Sequence, residues 1–200
     1  MKAVEKLPED YRPCLTVDLQ NDKKLALLVN AMALVIALVL GVPMHFFVPI
    51  TTLLDMGQGM GVYMLRIGAL LVGMLAYLVL HELVHGITMK LVGTKKVRYG
   101  YTGLYAFAGS DDYYDKASYI TIALAPVVLW GIVLFVLNLL VDRDWFWVVY
   151  FIQLMNLSGA AGDYYVTAKF MKLPKSILVR DVGVSMTVYA KTGDATHDGL

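Results

Sequence analysis

Residues 81–86 of this 200-residue chain read His-Glu-Leu-Val-His-Gly. On an α-helix, residues four apart share a face, so His81 and His85 can turn two imidazoles toward one metal ion with Glu82 beside them. Zinc takes neutral nitrogen ligands, and where one coordination position stays open to water, a carboxylate next to the first ligand can accept that water's proton. The pattern therefore implies hydrolysis assisted by Zn2+, with His81 and His85 as metal ligands and Glu82 as the catalytic base. With four His and three Glu in the chain, composition alone would generate such a pentad on the order of once per thousand chains. The competing reading is a helix with two structural histidines, which must bear the cost of ionisable groups in an apolar setting.

The elements that must position these residues are membrane helices. Hydrophobic residues make up 58% of the chain and charged residues 16%, with a mean hydropathy of +0.63, more than a soluble core requires. The expected fold is an all-α polytopic membrane protein of about four transmembrane helices, at 25–42, 62–92, 119–141 and 145–168. A small β-hairpin over 95–108 follows the second helix, and a short strand over about 177–190 lies in the tail. Pro43 ends the first helix, Arg66 snorkels near the start of the second, and Pro126 kinks the third. Around Thr102-Gly103, aromatic and β-branched residues give the hairpin its signal. Alternation through Val182, Val184, Met186 and Val188 gives the strand its signal. Residues 1–24 are polar and mixed in charge, without the apolar core of a signal peptide, and read as a cytoplasmic leader; residues 169–200 read as a cytoplasmic tail, loose from Lys191.

Charge excludes some functions and orients the chain. A formal net charge of +1 and no dense basic run give no footprint for nucleic acid. Cys14 is the single cysteine, so neither an internal disulfide nor a thiolate cluster can form. Lys and Arg concentrate in the leader, in the hairpin loop (Lys95, Lys96, Arg98, Lys116) and after the fourth helix. By the positive-inside rule both termini and the hairpin are cytoplasmic.

A catalytic zinc needs a third protein ligand, and elimination finds one. No Glu follows Glu82, and Leu91 stands where one zinc-protease class carries a third His. His45 falls on the outer side, His197 falls in the tail, and the other later aspartates fall in loops or after the membrane region. Only Asp163 lies inside a predicted membrane helix. At about 1.5 Å per residue, His85 and Asp163 each sit roughly 10 Å from the cytoplasmic ends of their helices, so they can meet at one level. Asn156, two turns before Asp163, reads either as an amide that hydrogen-bonds substrate or as a helix-packing amide.

The pentad in a membrane helix, the hairpin after it, Ala125-Pro126 in the next helix, and Asn156 with Asp163 in the one after resemble the site-2 protease class of intramembrane zinc metalloproteases. The His-Glu-Leu-Val-His-Gly form and small size look closest to a bacterial and archaeal family of membrane proteins described as putative zincin peptidases. The resemblance covers about residues 62–168. It implies zinc on His81, His85 and Asp163, water activation by Glu82, and substrate contact by Asn156. It also implies a prokaryotic plasma membrane, and as substrate a membrane protein or membrane-adjacent peptide. The chain departs from the class in lacking a Pro soon after Asn156 and in having Tyr164 rather than Gly after Asp163. Two other readings use the same residues: a non-proteolytic membrane protein that binds a metal or holds a partner helix, and a transporter relaying metal ions or protons.

Overall fold

The structure, a computed structural model, describes residues 3–103 and 105–193. Its elements in chain order are β1 (Tyr11–Asp18), α1 (Lys23–Phe47), a 3-10 turn (Ile50–Leu54), α2 (Met60–Leu91), β2 (Arg98–Tyr101), β3 (Ala106–Gly109) and β4 (Tyr113–Asp115). These are followed by α3 (Lys116–Leu140), α4 (Phe146–Gly159), α5 (Ala161–Met171), β5 (Leu178–Asp181) and β6 (Ser185–Lys191). The tail beyond Gly193, read as loose and carrying His197, lies outside the described residues.

Three helices, α1, α2 and α3, are long and apolar enough to cross a membrane. Their large side chains stay exposed around the helix, among them Leu38, Leu71, Leu78, Ile132 and Leu139, as lipid-facing helices require. The expected fourth helix is corrected in form. Residues 145–168 form two helices rather than one, because Ala160 leaves helical geometry and its N–H bonds to Ser158 O. The break follows two poor helix formers, Ser158 and Gly159, and the Ser158 hydroxyl bonds back to Leu154 O at 2.7 Å, a local competition that weakens a helix. α4 has 14 residues and α5 has 11, so α4 alone reaches about 21 Å of the roughly 30 Å hydrocarbon layer.

The all-α expectation is corrected as well, since two sheets are present. A four-stranded antiparallel sheet runs in the order β1-β6-β5-β4, and β2 pairs with β3 in a separate ribbon. The leader over 1–24 thus contains a strand, paired to β6 from Tyr11↔Lys191 to Asp18↔Ser185. Pro13 masks that strand in the sequence, and its partner lies some 170 residues away. The single tail strand becomes two, β5 and β6, joined by a turn at Gly183, which has φ +112°. A side chain there would be strained and would also strike the Phe107 ring.

The chain divides into two compact units. One comprises Met1–Leu28, Glu82–Pro126 and Gly162–Leu200. Tyr114, Tyr119, Val166, Phe170 and Val179 are buried within it. Asp115 caps α3 by accepting the Ser118 N–H at 2.8 Å, which starts that helix three residues before the predicted position. Asp111 bridges Arg98 of β2 and Arg180 of β5, tying the ribbon to the larger sheet.

The second unit comprises Val29–His81 and Val127–Ala161, with Leu53, Trp147, Val148 and Leu154 at its centre. Arg66 does not snorkel. It is fully buried and donates to the carbonyls of Thr52, Asp55 and Asp144. Backbone acceptors in the 3-10 turn, just after it and in the 142–145 turn give the two terminal nitrogens of the guanidinium the partners that water would otherwise supply.

Candidate metal centre

α2 carries the His-Glu pentad, and α5 carries Asp163 in its first turn, where an acidic side chain complements the positive end of the helix dipole. α2 is continuous through His81 and Glu82, so helix geometry alone sets His81 one turn from His85. His85 Nε2 lies 3.7 Å from Asp163 Oδ1. His81, His85 and Asp163 each offer one ligand atom, all within 4.8 Å of one another. Two atoms each about 2.0–2.1 Å from a tetrahedral zinc stand about 3.3 Å apart. The three donors are two imidazoles and a carboxylate, so the set fits Zn2+ in chemistry and in scale.

His85 owes its orientation to a proline. Its Nδ1 lies 2.9 Å from the carbonyl oxygen of Ile122. In an α-helix that carbonyl would accept the N–H of residue 126, but Pro126 has none. The carbonyl is an acceptor only, so His85 donates from Nδ1 and keeps the lone pair on Nε2, the atom facing Asp163.

Glu82 is half-buried, and the backbone of Ala108 in β3 is a hydrogen-bonding neighbour of its carboxylate. The β2-β3 ribbon reaches this end of α2 because residue 86 is glycine. The Tyr99 hydroxyl and ring occupy the space that a Cβ at Gly86 would need. His81 makes a different contact. Its Nδ1 is 2.7 Å from the Tyr77 hydroxyl, which is 2.8 Å from Asn156 Oδ1. Asn156 is fully buried, and its Nδ2 donates to Val127 O at 3.2 Å.

Asp181 falls beyond the membrane region in the sequence, yet it is buried near His85 and Asp163. It accepts hydrogen bonds from the Tyr119 hydroxyl at 3.0 Å and from Gly183 N–H at 2.8 Å. Burial pushes its carboxyl up to about 6, against these two hydrogen bonds. Tyr77 was also missed, although it precedes His81 by one helical turn and that spacing could have drawn attention to it. No pattern in the sequence pointed to Asp181, Tyr119 or the Ile122 carbonyl.

Membrane-length helices bearing a His-His-Asp ligand group, with a glutamate next to the first histidine, define a class of helical proteins built around one candidate metal centre. Within it, the chain belongs to the family described as "Putative zincin peptidase", whose model matches residues 74–178. The match runs from the middle of α2 to the first residue of β5 and includes all four of these residues. No curated protein and no solved structure matches the chain.

Proposed function

We propose that this protein is a zinc-dependent intramembrane peptidase of the site-2 protease kind, hydrolysing a peptide bond in or beside a membrane segment of another protein. The observation that carries this reading is the meeting of three ligand atoms within 4.8 Å with Glu82 next along the helix. His81, His85 and Asp163 would hold the ion. Bound there, Zn2+ would supply Lewis-acid activation of the attacking water and of the scissile carbonyl. Glu82 accepts the water's proton and returns it to the leaving amine as the C–N bond breaks. A substrate helix has to unwind first, because its carbonyls are bonded internally. The ribbon that sets Ala108 beside Glu82 offers a strand edge along which an extended segment can pair.

The placement of Lys and Arg in the chain supports cytoplasmic termini, with water reaching the site from that side, and the family resemblance supports a prokaryotic plasma membrane. A three-ligand set leaves a position for water, whereas a structural zinc site usually closes with a fourth protein ligand; this favours catalysis over simple metal storage. Comparing membrane-protein fragments in cells expressing wild type or Glu82→Gln tests the proposal. The variant should retain zinc and lose cleavage by roughly 10²- to 10⁴-fold. Undiminished cleavage by Glu82→Gln would overturn the mechanism.

A further inference from the structure

We infer that Tyr77 and Asn156 are positioning residues that hold His81 in the tautomer protonated at Nδ1, which places the lone pair of Nε2 at the disposal of the metal. The inference rests on His81 being a zinc ligand, and it gives Asn156 a role other than substrate contact.

The argument starts at a carbonyl. Val127 O can only accept, so the Asn156 atom 3.2 Å from it is the amide nitrogen. That fixes the orientation of the amide, and Oδ1 is the atom that faces Tyr77 at 2.8 Å. An amide oxygen cannot donate, so the Tyr77 hydroxyl places its hydrogen there. A phenol has one hydrogen, and Tyr77 therefore offers only a lone pair to His81 Nδ1 at 2.7 Å. Two lone pairs at that distance repel, so Nδ1 carries a hydrogen and donates it. A neutral imidazole has a single N–H, which leaves Nε2 as the basic nitrogen.

Tyr77 is 5% exposed and Asn156 0%, so bulk water does not compete for the bonds from Asn156 to Tyr77 and to Val127 O; the bond to His81 is part-buried. The pull of Tyr77 on the Nδ1 hydrogen also makes Nε2 a stronger donor to a metal. His85 reaches the same tautomer by another route, through the Ile122 carbonyl. A substrate contact by Asn156 would require an amide that has already committed its oxygen and one N–H inside the protein.

The test uses full-length, metal-free protein in detergent, labelled with 15N-histidine, with long-range proton–nitrogen correlation spectra reporting which ring nitrogen bears hydrogen. The chain has four histidines, and the His81 signals are those lost in His81→Ala. Wild type should show His81 protonated at Nδ1. In Asn156→Leu the Tyr77 hydrogen is released to turn toward His81, and the Nε2-protonated form should appear. Zinc affinity, measured by chelator competition, should fall roughly 10- to 100-fold in Tyr77→Phe and in Asn156→Leu. The double variant should be no weaker than the weaker single one, because both break one chain of bonds. Tyr150→Phe, which removes a tyrosine hydroxyl donated to Leu40 O at 2.9 Å, should leave zinc affinity unchanged.

His81 protonated at Nε2 in wild type would overturn the inference, and that spectrum needs no variant to fold. So would wild-type zinc affinity in Tyr77→Phe alongside a loss in His81→Ala, an outcome that leaves the metal centre standing. Wild-type affinity in His81→Ala would instead remove the metal reading of His81, and this inference with it.

Discussion

Gly86 is the residue at which the pentad meets the ribbon. A methyl group there would displace the Tyr99 ring; Tyr99 is half-exposed and can give way, so the cost falls at the low end of overpacking, about 1 kcal/mol. Gly86→Ala should lower the melting temperature measurably, and Tyr99→Ala in the same chain should give back part of the loss; an unchanged melting temperature in the single variant would show that the ribbon does not hold this position. At this scale the sequence was informative where chemistry repeats at helical spacing. His81, Glu82 and His85 announce themselves, and Asp163 emerges because few acids lie in apolar segments. The partners that orient the ligands do not announce themselves. A tyrosine in an apolar helix reads as packing, and a backbone carbonyl has no letter in the sequence at all.

Among the elements, α3 shows how a nominal flaw serves the centre. Pro126 lies inside the helix, where a proline costs roughly 3 kcal/mol relative to alanine. Pro126→Ala should therefore raise the melting temperature of the metal-free protein. It should also weaken zinc binding about tenfold, because the restored N–H competes with His85 for Ile122 O. Calorimetry and chelator competition on one sample read both quantities, and a variant with unchanged zinc affinity would free Pro126 from this role. The three long helices were legible because each is a long apolar run. The division into α4 and α5 was not, since Asn156 through Asp163 still reads as helical and only Ser158, Gly159 and the Ala160 geometry interrupt it. β1 was illegible for another reason: its pairing is decided by residues at the other end of the chain.

For the molecule as a whole, two acids act on stability in separate pH windows. Asp111 is held down at about 2 by hydrogen bonds from Arg98 and Arg180. Its depressed value means that the folded state holds its proton less tightly than the unfolded one, so its contribution is present above about pH 4 and lost as pH falls through 2. Asp181 has the opposite sign, since burial raises it from 3.8 to about 6. Below about pH 4 both states are protonated and its contribution is whole. Between pH 4 and 6 the unfolded chain releases its proton first, so stability falls as pH rises, by about 3 kcal/mol. Melting curves of metal-free protein across pH 4–7 should show this decline, and Asp181→Asn should flatten it; a decline of equal size in that variant would assign it elsewhere. The pairing of β1 with β6 bears finally on biosynthesis. The chain's first strand is made long before its partner, and β6 follows every other described element out of the ribosome. α1, α2 and α3 can enter the bilayer while β1 waits unpaired, and the sheet that buries Asp181 closes only at the last step. A chain made in this order carries His81, His85 and Asp163 before β6 exists, so the candidate centre acquires the sheet around Asp181 only after its own residues have been synthesised.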